Sequence, residues 1–275
     1  MTWQDQYQQE SSSAAELFQL YIVPRITWLW AKDLVDRACV GIGDNVLDVA
    51  CGTGVVTRLA AQQSGTGRVV GLDLNADMLR VARGIARTDD VPIEWCEGSV
   101  LALPFEEGVF NVVLCQLGLQ FFPDKSVALR EMARVLASGG RLLLSVFTSI
   151  ERTPVAHAFA NALDRHLGEG ASSAKRIEHS FSDSGALARL AVDAGLKNVV
   201  VVPVTQTIRF PSALDYVRLQ LTATPQARLL SQTSEQERDA VIQAIAGDLA
   251  GALESVGPTG EISSAQECNV LSATR

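Results

Sequence analysis

One segment, residues 45–57, constrains the fold of this chain most strongly. It runs Asn-Val-Leu-Asp-Val-Ala-Cys-Gly-Thr-Gly-Val-Val-Thr, which predicts a buried strand, a glycine-rich turn and the start of a helix. About one strand-and-helix unit later, residues 68–73 predict a second buried strand that ends in an acid, Asp73. In doubly wound sheets, such glycines admit a ligand to the backbone and such an acid accepts hydrogen bonds from ribose hydroxyls. The pairing therefore predicts a nucleoside site.

The pattern around this segment alternates regularly between strands and helices. Predicted strands cover 45–50, 68–73, 92–96, 109–115, 141–147, 198–209 and about 267–274, and predicted helices cover 54–63, 75–87, 123–137, 153–167 and 183–194. The Ser-Gly-Gly at 138–140 is typical of a helix C-terminus. The last two strands are expected to form an antiparallel hairpin with a long connection. We therefore expect an α/β fold: a doubly wound, Rossmann-like, seven-stranded, mostly parallel sheet with an antiparallel last strand.

The remaining segments predict a helical cap over the sheet. Residues 12–40 are helical in pattern, with two helices expected to meet at Pro24, and residues 168–180 are small and polar, typical of a mobile loop. The expected division is an N-terminal helical cap at 1–40, a nucleoside-binding core at 41–210 with a cap segment at 150–180, a helical insertion at 211–257 that forms part of the acceptor cap, and a final core strand at 258–275.

Composition narrows the class of partner. The net charge of −8 and the lack of a Lys/Arg-rich run argue against a nucleic-acid substrate. The start of the chain lacks the pattern of a secretory signal, and no apolar run reaches the length of a membrane span, so we expect a cytoplasmic protein. Five widely spaced cysteines are expected to be reduced thiols. A homodimer is one expected assembly.

Three residues of the first turn are candidates for ligand contact. Gly52 and Gly54 lie where ligands of open α/β sheets bind, although an ordinary tight turn would use glycines too. Asp48 interrupts an apolar strand, and a buried carboxylate needs a partner. That partner is either a ligand ammonium or a hydrogen bond within the loop.

The second turn supplies the ribose candidate. Asp73 follows Gly52 by 21 residues, which favours the ribose role over the alternative of a helix N-cap. Leu74 and Met78 would border the adenine or ribose, with core packing as the alternative. A dinucleotide oxidoreductase is disfavoured, because Thr57 stands where G-x-G-x-x-G needs its third glycine.

Three further segments, residues 97–105, 109–115 and 129–144, follow in a characteristic order. Together with the first two, they resemble the class I S-adenosylmethionine-dependent methyltransferases. Within these the chain is similar to the type 11 group, which includes the ubiquinone/menaquinone C-methyltransferases, and residues 117–125 are close to that group's segment after the fourth strand. The resemblance covers about residues 42–147.

The resemblance implies a role for each matching position. Gly52 and Gly54 would line the methionine moiety of S-adenosyl-L-methionine, with Asp48 near its amino group. Ser99 stands where the family often has Asp, so its contact with the adenine would lack charge assistance. The full predicted cofactor-binding set is Asp48, Cys51, Gly52, Gly54, Asp73, Leu74, Met78, Ser99, Val100, Gln116 and Leu117.

The expected chemistry is methyl transfer to a small, apolar or aromatic acceptor, quinone-like or a natural product. A general base helps if the acceptor is a hydroxyl or an acidic carbon, and the weak candidates are His157, His166 and His179. No cluster has metal-ligand spacing. Residues that would contact the acceptor are Tyr21, Gln120, Phe121 and Tyr216. The alternatives are an S-adenosylmethionine-binding protein with chemistry other than methyl transfer and a nonenzymatic binding module with a degenerate pocket.

Overall fold

A single mixed sheet organises the computed structural model, which describes residues 13–86, 92–253 and 257–275. Within these residues, seven strands form the sheet in the order β3-β2-β1-β4-β5-β7-β6. The strands are β1 (Val46–Val49), β2 (Val69–Asp73), β3 (Glu94–Glu97), β4 (Phe110–Gln116), β5 (Leu136–Phe147), β6 (Lys197–Phe210) and β7 (Ile262–Thr274). Strand β7 runs antiparallel to both of its neighbours, and the other pairs are parallel. The predicted fold class is confirmed.

Helices cover both faces of this sheet. The chain begins with a short helix α1 (Ala14–Leu17), which continues without interruption into a π-helical segment (Phe18–Thr27) and then helix α2 (Trp28–Ala38). The other α-helices are α3 (Val55–Ser64), α4 (Ala76–Ala86), α5 (Lys125–Val135), α6 (Pro154–Leu167), α7 (Ser173–Ile177), α8 (Ser184–Asp193), α9 (Ala213–Ala223) and α10 (Glu235–Ala252). Short 3₁₀ turns lie at Leu119–Phe121, Ile150–Arg152 and Pro225–Leu230.

The central strands are buried on both faces, which explains their almost continuous apolar sequences. Every residue of β1 is buried, and the side chains of Val112, Val113 and Leu114 in β4 have no exposed surface. Burial on both faces is the usual environment of parallel strands between two helical layers. Asp48 is therefore a carboxylate inside an otherwise apolar layer.

The helices predicted to form a cap share one hydrophobic cluster. It joins Ile22 and Ile26 of the π-helical segment to α6, α9 and α10 and to Phe147 at the end of β5. The indole N–H of Trp30 donates to Gln266 Oε1 at 2.6 Å, which links α2 to β7. Residues 1–12 and 254–256 of the predicted cap lie outside the described residues. The division into domains stays a prediction.

The expectation of two helices meeting at Pro24 is wrong. The helix runs on from Phe18 to Thr27 with π-type bonding, as the N–H of Trp28 donating to the carbonyl of Val23 shows. Proline lacks an N–H and breaks the regular i→i−4 pattern. The shift to i→i−5 bonding lets the helix continue past this position.

The expected helix end at residues 138–140 is also wrong. The Ser-Gly-Gly at 138–140 does not end a helix, because α5 already ends at Val135 and the glycines lie inside β5. The register between β4 and β5 shifts between Phe110 and Val112, opposite this stretch, and Gly139 has a φ of 76°. The glycines therefore allow the strand to bend where its register shifts, and they do not form a helix cap.

The polar segment 168–180 contains structure that its composition does not predict. It includes helix α7, and Lys175 and His179 within it are buried. Lys175 Nζ lies 2.8 Å from Glu178 Oε2, so these polar side chains satisfy each other away from water. The final strand also begins at Ile262 rather than near 267, because it pairs with β6 as far as Phe210.

Candidate active site

The candidate site is the crevice at the carboxyl ends of β1, β2 and β4, where the strand order reverses. The backbone there is unusual. Ala50, Gly52 and Leu117 have φ values of 56°, 55° and 53°. Positive φ is uncommon for residues other than glycine and clusters at functional sites. The two loops that border the crevice are therefore held in conformations typical of a binding site.

The two glycines of the first turn have different surroundings. A Cβ built on Gly52 would meet no atom within 4 Å, so its position faces open space. A Cβ on Gly54, which has a φ of 82°, would overlap the ring of Trp95. Gly52 thus leaves open space beside the backbone, whereas Gly54 allows α3 to pack against β3.

Asp48 is a buried carboxylate with one oxygen available. Thr57 Oγ1, in the following helix, donates to Asp48 Oδ2 at 2.6 Å. One of the two carboxylate oxygens of Asp48 therefore has a hydrogen-bond partner within the protein. Asp48 Oδ1 and Thr53 Oγ1 are buried and accept no hydrogen bond from the described residues. Burial, followed by the nearby charge of Asp73, raises the pKa of Asp48 to about 7. A ligand ammonium would stabilise the ionised form.

Asp73 connects the loop after β1 to the loop after β2. Its Oδ2 accepts from the N–H of Gly52 at 2.8 Å, and its Oδ1 accepts from the N–H of Asn75 at 2.8 Å. The start of α4 is bonded instead by Asn75 Oδ1, which accepts from the N–H groups of Asp77 and Met78. Each carboxylate oxygen of Asp73 keeps a further lone pair, enough to accept from a diol.

The residues predicted to border the adenine lie next to Asp73. Leu74 is 72% exposed, so it does not belong to the core, and Met78 is half-buried. Ser99 Oγ accepts from the N–H of Leu101 at 3.2 Å, and Val100 is buried in the core cluster beneath. The structure therefore engages the Ser99 hydroxyl in a local turn.

The end of β4 is bonded to the N-terminal helical segment. Gln116 Nε2 donates to the carbonyl of Thr27 at 2.9 Å, and the N–H of Leu117 donates to the carbonyl of Ser145 in β5 at 3.0 Å. Gln120 Nε2 donates to the carbonyl of Leu117 at 2.8 Å. This end of the crevice thus lies between β4, β5 and the helix.

The four predicted acceptor contacts fall into two environments. Phe121 is 54% exposed beside the crevice, and Gln120 is buried there. Tyr21 is buried in the cap cluster. Tyr216 is also inside that cluster, where its ring packs edge-on against Phe159 and Phe210 and burial raises its pKa to about 12. Tyr216 therefore packs the cap rather than lining an open surface.

The three histidines lie apart. His166 pairs with Asp248 on the surface at 2.9 Å, and His157 is half-buried in α6. His179 is buried and stacks on Phe147 at the end of β5, with ring centroids 4.9 Å apart. Its Nδ1 lies 2.8 Å from the carbonyl of Thr148, a partner that requires Nδ1–H and leaves the lone pair on Nε2. Burial lowers its pKa, so the ring is neutral at pH 7.

No metal site is found in the described residues, and the two cysteines nearest the crevice are buried. The described residues contain no group of three or more His, Cys, Asp or Glu side chains that could hold a metal ion. Burial raises the pKa of the Cys51 thiol and raises that of Cys115 to about 12, which makes both poor nucleophiles. Nor does any helix in this part of the chain have the length and hydropathy to cross a membrane.

Sequence reasoning missed several residues of the crevice. Thr53, Trp95 and Ser145 carry contacts or unpaired atoms there. Ser145 could have been found as the polar residue in an apolar strand, by the same signal that singled out Asp48. The polar atoms of Asp48, Thr53 and Asp73, together with the open space at Gly52, fit the charged and hydroxyl groups of S-adenosylmethionine.

Comparison with known proteins shows the family to which the chain belongs. The model of the ubiE/COQ5 methyltransferase family matches residues 21–209. The ubiquinone/menaquinone biosynthesis C-methyltransferase of Enterobacter sp. (strain 638) is 34% identical over 185 residues, which cover 62% of this chain and 73% of that protein. The 2-phytyl-1,4-naphtoquinone methyltransferase of Thermosynechococcus vestitus is 43% identical over 122 residues, 44% of this chain and about half (53%) of that protein.

Solved structures show the same fold. A putative methyltransferase from Bacillus halodurans superposes with a TM-score of 0.59 at 22% identity, over 89% of this chain and 97% of that one. A phosphoethanolamine N-methyltransferase from Haemonchus contortus, in complex with S-adenosyl-L-methionine, superposes with a TM-score of 0.61 at 15% identity. The match covers 100% of this chain and 60% of that one. The chain therefore belongs to the ubiE/COQ5 methyltransferase family and is an S-adenosylmethionine-dependent methyltransferase.

Proposed function

We propose that this enzyme transfers a methyl group to a small, apolar aromatic acceptor of quinone type. One observation carries the proposal: the apolar cap cluster reaches Phe147 at the end of β5, beside the crevice that fits the cofactor. An apolar space with few polar groups is the usual environment for a small hydrophobic ligand. The two relatives named above are a ubiquinone/menaquinone C-methyltransferase and a naphthoquinone methyltransferase, which supports the same class of acceptor.

The cofactor is assigned to the crevice by its polar atoms. Asp48 Oδ1 and Thr53 Oγ1 would take the amino acid end, Gly52 would give room for it, and Asp73 would accept from the ribose hydroxyls. Leu74, with most of its side chain exposed, would cover the adenine. The bound cofactor supplies a methyl group on a positively charged sulfur, which is an activated leaving group.

The contribution of the protein is then to orient the acceptor and to exclude water. Positioning of the reacting groups alone supplies a large part of the acceleration in such a displacement. The N-terminal helical segment, held to β4 through Gln116 and Thr27, would cover the methyl-transfer position. Of the three histidines, His179 is the one fixed beside a strand end, so we assign it as the candidate base for the acceptor proton.

The cap would be built from three parts of the chain. These are residues 1–40, 150–180 and 211–257, while 41–210 and 258–275 would form the core. The family model ends at residue 209, so α9 and α10 lie beyond the matched region. Acceptor choice in this enzyme would therefore depend on helices that the family model does not include.

The charge of the chain bears on the kind of acceptor that it binds. The net charge of −8 supports a small acceptor over a nucleic acid. A homodimer is proposed as the assembly, and light scattering on the purified protein would measure its mass directly.

Calorimetric titration with S-adenosylmethionine and, separately, NADH tests the cofactor. Micromolar binding of S-adenosylmethionine alone is expected. A second assay follows transfer of a labelled methyl group to naphthohydroquinones, with polyamines and tRNA as competing acceptors. Label in the hydroquinone supports the proposal, and label only in tRNA or polyamine overturns it.

A further inference from the structure

Buried oxygen atoms without partners gather at the carboxyl ends of β4 and β5. Ser145 is 1% exposed and Gln120 is 4% exposed. Each nevertheless has a side-chain oxygen atom that forms no hydrogen bond with the described residues. The atoms of this kind around the strand ends are Thr27 Oγ1, Gln116 Oε1, Gln120 Oε1 and Ser145 Oγ. Buried polar atoms in folded proteins nearly always have a partner, so a group of exceptions points to a ligand or to ordered water.

Backbone and side-chain contacts bring these residues to one place. Gln116 and Ser145 are direct partners in the register of β4 and β5, and partners in a sheet point to the same face. Two residues earlier, the partners Leu114 and Leu143 pack on that face together with Val23 of the π-helical segment. The polar pair therefore lies on the same face of the sheet, at the edge of the crevice.

The orientation of each glutamine amide is fixed by its other bond. Gln116 Nε2 donates to the carbonyl of Thr27, and Gln120 Nε2 donates to the carbonyl of Leu117. A carbonyl can be bonded only by the NH₂ end of an amide. Both Oε1 atoms are therefore the free ends, and both can only accept.

The surroundings of the pair are apolar on both sides. Ser145 lies between Leu143, which belongs to the cluster under α2 and α3, and Phe147, which belongs to the cap cluster. A ligand that bonds to these atoms would need an apolar body and one edge with a hydrogen-bond donor. A hydroxylated aromatic ring has this chemistry.

We propose that a ring hydroxyl of the methyl acceptor donates one hydrogen bond that is shared between Gln116 Oε1 and Ser145 Oγ, with Gln120 Oε1 as a further acceptor nearby, and that this bond positions the ring at the ends of β4 and β5. The inference rests on the proposed function and adds to it the residues that recognise the acceptor. Sites built to bond a hydroxyl discriminate strongly against analogues that lack it, because their own polar atoms are then left unpaired.

Ser145→Ala is the principal test variant, and Ser64→Ala is its control. Ser64 is also fully buried, but its Oγ donates to the carbonyl of Asp44 at 2.8 Å, away from the crevice. Removal of the unpaired Ser145 hydroxyl should leave the melting temperature unchanged or raise it, whereas removal of the paired Ser64 hydroxyl should lower it. A lower melting temperature for Ser145→Ala would mean that its hydroxyl is already bonded, against the proposal.

Binding is measured on the complex with S-adenosylhomocysteine, with 2,3-dimethyl-1,4-naphthoquinone as the probe in its oxidised and reduced forms under anaerobic conditions. The two forms have nearly the same size, and only the reduced form carries hydroxyl donors. Wild-type protein and Ser64→Ala should bind the reduced form more tightly. Ser145→Ala should weaken binding of the reduced form about tenfold, the usual effect of one lost hydrogen bond.

A second variant, Gln116→Met, should also lose the preference for the reduced form. Equal binding of the two forms by the wild-type protein, no binding of either form, or an unchanged preference in both variants would overturn the inference. Methyl transfer to a naphthohydroquinone is scored separately. If transfer occurs but the variants keep their preference, the inference fails and the proposed function stands; if transfer is absent but the preference follows Ser145, the proposed function fails.

Discussion

The ring of Trp95 on β3 fills the space that a side chain at Gly54 would need, whereas the same space at Gly52 is open. Two glycines only two positions apart therefore serve different ends. Gly54 permits the helix and sheet to pack, and Gly52 leaves open space at the crevice. Motif matching alone treats the two positions as equivalent.

Alanine at each position should separate these effects. Gly54→Ala should lower the free energy of unfolding by about 2–4 kcal/mol, because it adds a clash with Trp95 to the cost of positive φ. Gly52→Ala should lower the free energy of unfolding by about 1–2 kcal/mol, the cost of positive φ alone. It should also weaken the binding of S-adenosylmethionine at least tenfold. Urea denaturation and calorimetry measure the two quantities. Full cofactor affinity in Gly52→Ala would remove that residue from the site.

Asp48 should link cofactor binding to pH. Burial raises its pKa to about 7 in the free protein, and an adjacent ammonium would favour the ionised form. Binding below pH 7 should therefore release a proton, and the Kd should rise by about tenfold for each pH unit below about 7. Calorimetry in buffers of different ionisation enthalpy counts the protons. Asp48→Asn should bind weakly with no proton release.

The same carboxyl should shape the stability of the cofactor-free protein. In the native state Asp48 keeps its proton up to about pH 7, while in the unfolded chain it loses the proton near the ordinary Asp pKa of 3.8. The free energy of unfolding should therefore fall as pH rises between these values. Asp48→Asn should remove this part of the slope, which denaturation series from pH 4 to 8 would detect.

Asp73 should contribute to cofactor affinity. Asp73→Ala is expected to make the binding free energy of S-adenosylmethionine less favourable by about 1–3 kcal/mol, through the loss of charge-assisted hydrogen bonds. Asp77→Ala on the adjoining helix is the matched control, since Asp77 is exposed and pairs with Arg80. Isothermal titration compares the two. Equal losses in both variants would point to a general charge effect instead of a ribose contact.

His179 and His166 offer a paired test of the base. His179→Gln should lower kcat with little change in the KM of the cofactor, and His166→Gln should change neither. In the wild type, kcat should fall as pH drops below the pKa of His179, which burial moves below 6.5. An unchanged pH profile in His179→Gln would assign the proton transfer to another group.

The parts of the fold that sequence predicts well are those in which burial determines residue type. Strands β1 and β4 are apolar because both faces are covered, and Asp48 stood out against that background. The same signal was available for Ser145. Residues that often end a helix or strand were less informative. Pro24 does not end its helix, because π-type bonding accommodates it, and the glycines at 138–140 lie within a strand whose register shifts there.

Segment 168–180 and the cap helices show where sequence reasoning stops. Lys175 and His179 look like surface residues, and only tertiary contacts show that they are buried. The position of Tyr216 inside the cap cluster likewise depends on how α6 and α9 meet. Pairing among polar groups that are distant in sequence leaves no local pattern.

The π-helical segment Phe18–Thr27 has a consequence for the rates at which molecules enter and leave. Its bonding is less favourable than that of an α-helix, and Pro24 donates no hydrogen bond, so this stretch should open at lower free energy than α2. Its backbone amides should then exchange with deuterium faster than those of Trp28–Ala38. Because Thr27 at the end of this segment is bonded to Gln116 at the end of β4, we expect local fraying of the helix to expose that strand end while the sheet stays intact.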